Sequence, residues 1–235
     1  MTDHTRKTYD QIAEQYQLKR NNFSESGWNE YLEVPAMEEM LKPIASGKKV
    51  LDLGSGTGIL TAKLQTWGAQ SQGLELSSRM VEIAQKTHPQ IEFIVGNAEQ
   101  LPFEDLSFDI VASSLVMHYM QNLIIPFKEI RRVLKPHGTF IFSIHHPFNE
   151  CLQKESGHVK ALNYFHNDKY LWEMCGAKLE SYHHTFENII NALNAAGFVV
   201  EKINECRPSP EIKNQFSDFD FTYNYPSFCL FKAAL

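Results

Sequence analysis

The stretch that decides the fold is residues 50–58, VLDLGSGTG. An apolar run is followed at once by three closely spaced glycines, Gly54, Gly56 and Gly58. Glycine readily adopts positive φ values and lets the backbone approach a ligand closely, so this order predicts a buried strand that ends in a binding turn. The helix that follows would direct its free N–H groups to the same place. The stretch therefore predicts an α/β protein with a ligand at the end of this strand.

The spacing of the glycines separates two classes of ligand. A dinucleotide site needs glycine at the first, third and sixth places, with alanine tolerated last, but Ile59 occupies the sixth place. The turn instead has an acidic residue, Asp52, two places before Gly54, and a second acidic residue, Glu75, ends the next apolar run. This arrangement argues against a dinucleotide and favours another nucleoside ligand.

Strand-like and helical runs alternate along the chain. Ser77 or Ser78 and Thr185 are the predicted caps of two helices, and residues 135–138, KPHG, predict a stop and turn. The predicted strands are 49–53, 73–76, 91–95, 108–113, 139–144, 198–203 and 228–232. Five strands alternating with helices predict a parallel, doubly wound sheet.

Four motifs together resemble the class I S-adenosylmethionine-dependent methyltransferases. Asp52 with GSGTG resembles the first motif of that family. The later segments follow in the family's order: GLELSSRM at 73–80, GNAEQLPFED at 96–105, and FDIVASSLVMHYM at 108–120 with RVLKPHGTFIF at 132–142. The resemblance covers residues 48–144. It implies a Rossmann-like seven-stranded sheet, mostly parallel with an antiparallel final hairpin, in strand order 3-2-1-4-5-7-6.

The resemblance also implies a cofactor and its contacts. S-adenosylmethionine would donate a methyl group to a small-molecule acceptor by direct in-line displacement. Glu75 would accept the ribose hydroxyls, residues 97–99 would meet the adenine, and the amides of Ser55 and Gly56 would meet the methionine carboxylate. Asp52 would lie near the ammonium group. The full set of predicted cofactor residues is Tyr9, Tyr16, Asp52, Gly54, Ser55, Gly56, Glu75, Leu76, Met80, Asn97, Ala98, Glu99 and Ser113.

Two tyrosines near the N-terminus have two interpretations. Tyr9, Ile12 and Tyr16 share one face of a predicted helix. The aromatic rings either face the positively charged sulfonium, which an aromatic face attracts, or pack the helix against the core. The sequence leaves both interpretations open.

Three histidines are candidates for a general base. His118 follows the fourth predicted strand, and His145 and His146 end the fifth. A neutral imidazole would accept a proton from a hydroxyl, a protonated amine or an acidic C–H, whereas a thiolate or a free amine needs no base. Adjacent strand residues point to opposite faces, so the His145–His146 and His183–His184 pairs cannot chelate as neighbours and no metal is expected.

The chain is predicted to form a single domain, 1–235, with four parts. Residues 1–46 form a helical lid, 47–146 the cofactor-binding core, 147–182 an insertion on the substrate side without clear periodicity, and 183–235 the last helix and closing strands. The lid and the insertion are expected to form the acceptor pocket, with His145, His146 and Tyr164 as its polar groups.

Composition limits the partners. The formal charge is −6, from 28 acidic residues against 22 Lys and Arg, with no long basic run. This argues against nucleic acid or an anionic membrane as a partner. The start of the chain shows no apolar signal core, no run reaches the length of a membrane span, and the four cysteines stand apart. A cytoplasmic protein with free thiols is expected, and the sequence specifies no oligomeric state.

Two alternatives to a methyltransferase stay open. The chain is either a non-catalytic module that binds S-adenosylmethionine or, less favoured by the glycine spacing, a nucleotide-dependent oxidoreductase. Methylation of nucleobase amino groups is disfavoured, because enzymes of that kind carry Asn or Asp followed by Pro-Pro and an aromatic residue where this chain has SLV at 114–116.

Overall fold

The computed structural model describes residues 3–22, 27, 29–155, 158–161, 163–165, 169–215 and 220–235. The strands in chain order are β1 Lys49–Leu53, β2 Gln70–Glu75, β3 Glu92–Val95, β4 Phe108–Ser113, β5 Leu134–His145, β6 Leu152–Glu155, β7 His158–Ala161, β8 Lys169–Met174, β9 Ala177–Tyr182, β10 Val199–Glu205 and β11 Phe228–Ala234. Seven of them form one sheet in the order β10-β11-β5-β4-β1-β2-β3.

The pairing in this sheet confirms the predicted fold class. β3, β2, β1, β4 and β5 pair in parallel, whereas β11 pairs antiparallel with both β5 and β10. The predicted order 3-2-1-4-5-7-6 is therefore the observed one, once the closing pair is renumbered for the four hairpin strands that precede it. The carboxyl ends of β1, β2, β4 and β5 meet at one edge, where open α/β sheets bind ligands.

Helices cover both faces of the sheet. They are α1 Asp3–Asn21, α2 Val34–Ala45, α3 Ile59–Thr66, α4 Ser78–Thr87, α5 Ile124–Val133, α6 Phe186–Ala195, α7 Pro210–Gln215 and α8 Asp220–Asn224. Ser77 caps α4 by accepting the Met80 N–H at 3.1 Å, and Thr185 forms a reciprocal capping box with Asn188 on α6. In the described part of the chain, no helix combines the length and the apolar character needed to cross a bilayer.

The core is divided by the sheet. Residues alternate along β5, so Phe140 and Phe142 pack on one side with Phe127, while Ile141 packs on the other side with Leu41. The Phe127 and Phe140 ring centroids lie 5.5 Å apart. These buried side chains hold the strands in register and so fix the loops at their carboxyl ends.

Two expectations of local structure differ from what is found. Residues 135–138, expected as a turn, belong to β5 as a bulge: the pairing jumps from Phe108 opposite Leu134 to Ile110 opposite Thr139, and His137 has φ +63°. The insertion 147–182, expected without regular structure, contains two antiparallel hairpins, β6–β7 and β8–β9. In β8 exposed and partly buried residues alternate, which places Tyr170 and Trp172 on the inner side.

Candidate active site

A cavity of about 300 Å³ opens at the carboxyl ends of the central strands. One part of its wall consists of predicted cofactor residues, namely Tyr9, Tyr16, Gly54, Gly56, Glu75, Leu76, Met80 and Ala98. The other part consists of polar and aromatic residues from the loops after β4 and β5 and from the closing hairpins: His118, Tyr119, His145, Trp172 and Phe228. The cavity thus joins two chemically different halves.

The glycine turn after β1 is held firmly against β2. The amides of Gly54 and Ser55 both donate to the Leu74 carbonyl, at 2.7 and 3.1 Å, and Gly54 has φ +77°. A Cβ on Gly54 would lie 2.2 Å from Cγ2 of Val116, so only glycine fits. The Ser55 amide thus donates to Leu74 in this structure, and its expected contact with a ligand carboxylate stays a prediction.

The Glu75 carboxylate closes the turn from the other side. Its Oε2 accepts the Gly56 N–H at 3.0 Å and its Oε1 accepts the Ser77 N–H at 2.9 Å. Burial raises the pKa of the Glu75 carboxyl, and these backbone hydrogen bonds oppose the rise. The Gly56 amide thus meets Glu75 rather than a free carboxylate site. An ionised carboxylate has about four lone-pair positions, so Glu75 keeps acceptor capacity for a ligand in the cavity.

Several predicted cofactor residues lie behind the cavity wall rather than in it. Asp52 is buried and accepts the Thr61 hydroxyl at 2.6 Å, and the Ser113 hydroxyl donates to the Leu53 carbonyl at 2.9 Å. The Asn97 side chain accepts the Glu99 N–H at 3.0 Å in a local turn. The residues outside the wall are Asp52, Ser55, Asn97, Glu99 and Ser113. Hydrogen bonds of these residues hold the strand ends and turns beside the cavity in place.

The protonation of Asp52 leads to a testable consequence for stability. Burial raises the pKa of its carboxyl to about 7, whereas in the unfolded chain it ionises near pH 4. As pH rises from about 4 to 7 the unfolded chain releases this proton first, so the free energy of unfolding falls, by at most roughly 4 kcal/mol.

Replacing Asp52 with asparagine is therefore expected to raise the free energy of unfolding, and to raise it more at pH 8 than at pH 5. Asparagine stays neutral and keeps an oxygen that accepts the Thr61 hydroxyl. Urea denaturation of both proteins at the two pH values measures the difference. An equal gain at both would contradict the raised pKa.

Two of the three candidate bases face the cavity together. The rings of His118 and His145 stack with centroids 3.9 Å apart. Burial lowers the pKa of both imidazoles, that of His145 to about 4, so both are neutral near pH 7. Both ring nitrogens of His118 are buried and have no hydrogen-bond partner among the described residues. Such groups are suited to bind a polar ligand, because an unpaired buried donor or acceptor is unfavourable.

The third candidate base, His146, lies outside the cavity wall, so its role as a base stays an untested prediction. It lies on the opposite side of the strand end from His145, and its ring packs edge-on against Phe186 with centroids 5.2 Å apart. Its Nδ1 accepts the Phe148 N–H, and its Nε2 lies 2.9 Å from the Glu205 carboxylate. Tyr164, the other expected polar group of the pocket, also lies outside the wall, where its hydroxyl accepts the Phe186 N–H at 2.9 Å.

Helix α1 covers the cavity. Asp10 on this helix accepts the Ser77 hydroxyl at 2.7 Å and the Arg79 N–H at 3.2 Å, which ties α1 to the start of α4. Tyr9 and Tyr16 meet edge to face with centroids 6.2 Å apart, and the Tyr9 and Tyr119 hydroxyls lie 2.6 Å apart. The two tyrosines therefore pack against each other and line the cavity at the same time.

Comparison with known proteins places this geometry in a family. A family model described as a methyltransferase domain matches residues 51–142. An uncharacterized protein of Haemophilus influenzae is 32% identical, and the match covers 89% of each chain. The crystal structure of an S-adenosylmethionine-dependent methyltransferase from Mesorhizobium loti matches with a TM-score of 0.77 at 27% identity, covering 86% of this chain and 96% of that one. This chain belongs to the S-adenosylmethionine-dependent methyltransferases.

A further relative indicates how far the likeness extends. A demethylmenaquinone methyltransferase from Chlorobaculum tepidum is 35% identical, but the match covers 63% of this chain and 63% of that protein. The shared part is thus well short of the full length of that relative. The cofactor of this family is S-adenosylmethionine.

The residues of the cavity fit this cofactor. The Glu75 carboxylate keeps acceptor capacity toward the cavity, and the Gly56 turn and the Tyr16 ring both line that cavity. The aromatic faces of Tyr9, Tyr16 and Tyr119 suit a cationic group. The predicted contacts of the individual residues remain predictions.

Slower hydrogen exchange is expected in residues 9–16 when S-adenosylhomocysteine binds. The reason is that α1 contributes Tyr9 and Tyr16 to the cavity wall, so a bound ligand adds contacts that hold α1 over the cavity. Exchange measured by mass spectrometry with and without ligand tests this, with α5, which lies outside the wall, as the internal control. Unchanged protection of residues 9–16 would mean that the helix is ordinary packing.

Some residues of the wall are absent from the predicted set. Trp172 and Phe228 contribute aromatic surface, and Lys19 and Arg20 lie at the end of α1. The Arg20 guanidinium pairs with Glu30 at 3.0 Å, while its Nη1 is buried and has no hydrogen-bond partner in the described chain. Trp172 had no clear sequence signal, because the alternation of residues 169–174 is one of burial and the exposed Leu171 is apolar. Among the described residues, no group of His, Cys, Asp or Glu is arranged to hold a metal ion.

Proposed function

We propose that this protein transfers the methyl group of S-adenosylmethionine to a small-molecule acceptor by direct in-line displacement. The observation that carries the proposal is the composition of the cavity wall, which joins the glycine turn and Glu75 on one side to the stacked His118–His145 pair on the other. When bound, the cofactor supplies an electrophilic methyl group on a sulfonium. What remains for the protein is to position the two reactants and to exclude water.

The residues divide this work between the two halves of the cavity. Glu75 would hold the ribose hydroxyls by charged hydrogen bonds, which are among the stronger kinds. Tyr9 and Tyr16 would shield the sulfonium from water and attract its charge. His118 and His145, which line the cavity, would contact the acceptor.

The walls also indicate the kind of acceptor. Trp172 and Tyr119 lie nearly parallel, with ring centroids 6.4 Å apart and an interplanar angle of 22°, and Phe228 borders the same half of the cavity. Such surfaces favour an acceptor with a planar apolar part, fixed by a few polar groups. Relatives named as methyltransferases of demethylmenaquinone and of phthiotriol and phenolphthiotriol dimycocerosates are consistent with a largely apolar acceptor. The net charge of −6 argues against a nucleic acid as the acceptor.

Calorimetric titration with S-adenosylmethionine, S-adenosylhomocysteine and NAD tests the cofactor half of the proposal. We expect both sulfur-containing nucleosides to bind with micromolar affinity and NAD to bind far more weakly. Preferential binding of NAD would restore the oxidoreductase alternative. Production of S-adenosylhomocysteine in the presence of hydroxyl, amine and thiol acceptors tests the transfer, and binding without turnover of any acceptor would favour the non-catalytic module.

A further inference from the structure

A chain of hydrogen bonds lies behind His145. Its Nδ1 lies 3.0 Å from the Tyr170 hydroxyl, and that hydroxyl donates to Oε1 of Glu150 at 2.5 Å. Oε2 of Glu150 lies 2.6 Å from Nδ1 of His183, and Nε2 of His183 lies 2.9 Å from the Tyr164 carbonyl oxygen. The Glu150 side chain is 7% exposed and that of His183 is fully buried. None of these contacts is needed to form the sheet.

The positions of the protons in this chain follow from the partners. A carbonyl oxygen only accepts, so Nε2 of His183 carries a proton and donates to Tyr164. Nδ1 of His183 and Oε2 of Glu150 then share one proton, whichever of them holds it. Oε1 of Glu150 is therefore an acceptor in either state, and the Tyr170 hydroxyl must donate to it. That hydroxyl oxygen can then only accept a hydrogen bond from His145, so Nδ1 of His145 donates its N–H to it.

The consequence is a fixed tautomer of His145. Since Nδ1 carries the proton and the ring is neutral, Nε2 on the opposite edge has a free lone pair. Nε2 has no hydrogen-bond partner among the described residues, and the half-buried ring lines the cavity beside His118. An imidazole oriented by a group behind it, with a bare nitrogen at a cavity, has the arrangement of a general base.

We propose that Tyr170 and Glu150 are positioning residues that hold His145 as a general base, and that the methyl acceptor carries a phenol- or enol-type hydroxyl. The inference rests on the proposed function. The hydroxyl proton goes to Nε2 of His145, the acceptor oxygen forms its bond to the methyl carbon, and the carbon–sulfur bond breaks with its electron pair left on sulfur. A thiolate or a free amine would need no such arrangement behind His145, and among the acceptors that do need a base, a planar phenol or enol suits the aromatic wall of Tyr119, Trp172 and Phe228.

The charge balance of this step explains how a buried imidazole can accept the proton. Burial alone disfavours the imidazolium and lowers the pKa of His145 to about 4, which leaves the lone pair free at neutral pH. During transfer, however, the cofactor loses its positive charge as His145 gains one, so the cavity holds one positive charge before and after. The Nδ1–H to Tyr170 bond strengthens at the same time, because its donor becomes charged.

The first test reads the tautomer directly. In long-range nitrogen-15 NMR spectra of the wild-type protein with S-adenosylhomocysteine, His145 is expected as the Nδ1–H form. Tyr170→Phe should convert it to a mixture, whereas Tyr182→Phe, in the same hairpin but outside the cavity wall, should leave it unchanged. A wild-type His145 protonated at Nε2 would overturn the positioning role. This measurement needs no methyl acceptor.

The second test uses two hydroxyl probes that differ in acidity, 4-methylphenol and 4-nitrophenol. With 4-methylphenol, Tyr170→Phe and Glu150→Gln are expected to lower kcat by about 10- to 100-fold and His145→Gln by about 100-fold or more. With 4-nitrophenol, which is largely ionised near pH 8, the losses should shrink to a few-fold. The Tyr170→Phe and His145→Gln losses should not add, because the residues act as a unit.

The outcomes separate this inference from the proposed function. Unchanged affinity for S-adenosylhomocysteine in all three variants, within about twofold, is expected, because the chain lies outside the cofactor half of the cavity. Equal losses with both phenols would overturn the base role. Methylation of only thiol or amine probes, or of no hydroxyl probe, would overturn the acceptor class. Failure of the wild-type protein to bind S-adenosylhomocysteine would instead contradict the proposed function itself.

Discussion

Replacing Glu75 with alanine is expected to weaken the binding of S-adenosylhomocysteine by about 10- to 100-fold, the scale of a lost hydrogen bond to a charged group. The carboxylate lies at the end of β2 in the cavity wall, where its oxygens accept the amides of Gly56 and Ser77. Alanine would remove the acceptor for the ribose hydroxyls and would also leave both amides unpaired. The glycine turn would then lose the group that fixes one of its sides, so affinity should fall through both effects.

The matched control is Glu173→Ala, which removes a carboxylate from the opposite part of the same cavity wall. We expect its affinity for S-adenosylhomocysteine to remain within about twofold of wild type. Thermal unfolding without ligand measures how much of the Glu75→Ala effect is a loss of stability, and calorimetry well below that transition measures affinity. A dissociation constant unchanged by Glu75→Ala would mean that this carboxylate does not read the ribose.

The parts of the fold that were predicted correctly are those fixed by local physics. The buried strand 49–53 and its glycine turn depend on apolar periodicity and on backbone conformations that glycine adopts readily. The caps at Ser77 and Thr185 depend on side chains that accept nearby amides. Each of these signals lies within a few residues of the structure that it specifies, so a sequence alone contains it.

The candidate site was harder to predict because it depends on which face of a strand a residue occupies. Alternation requires His145 and His146 to point to opposite sides, but only the tertiary structure, in which His145 and its β11 neighbour Phe228 line the cavity, shows which side meets it. Asp52 raises the same problem. Its position before the glycine turn predicts a ligand contact. In the structure, however, the Asp52 carboxylate accepts a hydrogen bond from the hydroxyl of Thr61, nine residues later on α3.

The hydrogen-bond chain behind His145 had no sequence signal at all. Its members come from the end of β5, the loop after it, strand β8 and the segment before α6, and only the tertiary fold brings them together. Glu150 and Tyr170 read in the sequence as ordinary polar residues of an irregular insertion. A relay of this kind is specified by packing between elements, which periodicity and spacing do not encode.

Replacing Gly56 with valine is expected to abolish measurable binding of S-adenosylhomocysteine, a loss of at least about 100-fold, in a protein that still folds. Gly56 has φ +53°, and a Cβ there would point across the cavity to within 3.9 Å of the Tyr16 ring. The protein itself leaves room for that atom, but the branched methyl groups of valine would crowd the part of the cavity that Gly56 and Tyr16 line, where we expect the cofactor to bind. Valine would also strain the turn, because positive φ is unfavourable for a β-branched residue by roughly 1–2 kcal/mol.

The control for this strain is Gly176→Val. Gly176 has φ +74°, a Cβ there would meet no atom within 4 Å, and the residue lies outside the cavity wall. Both variants should lose a similar amount of stability in thermal unfolding, since each places valine in the left-handed region. Only Gly56→Val should lose affinity, because only that side chain occupies cavity space. A folded Gly56→Val protein with wild-type affinity would place the ligand elsewhere, and an equal loss of binding in both variants would attribute the effect to backbone strain rather than to occupied space.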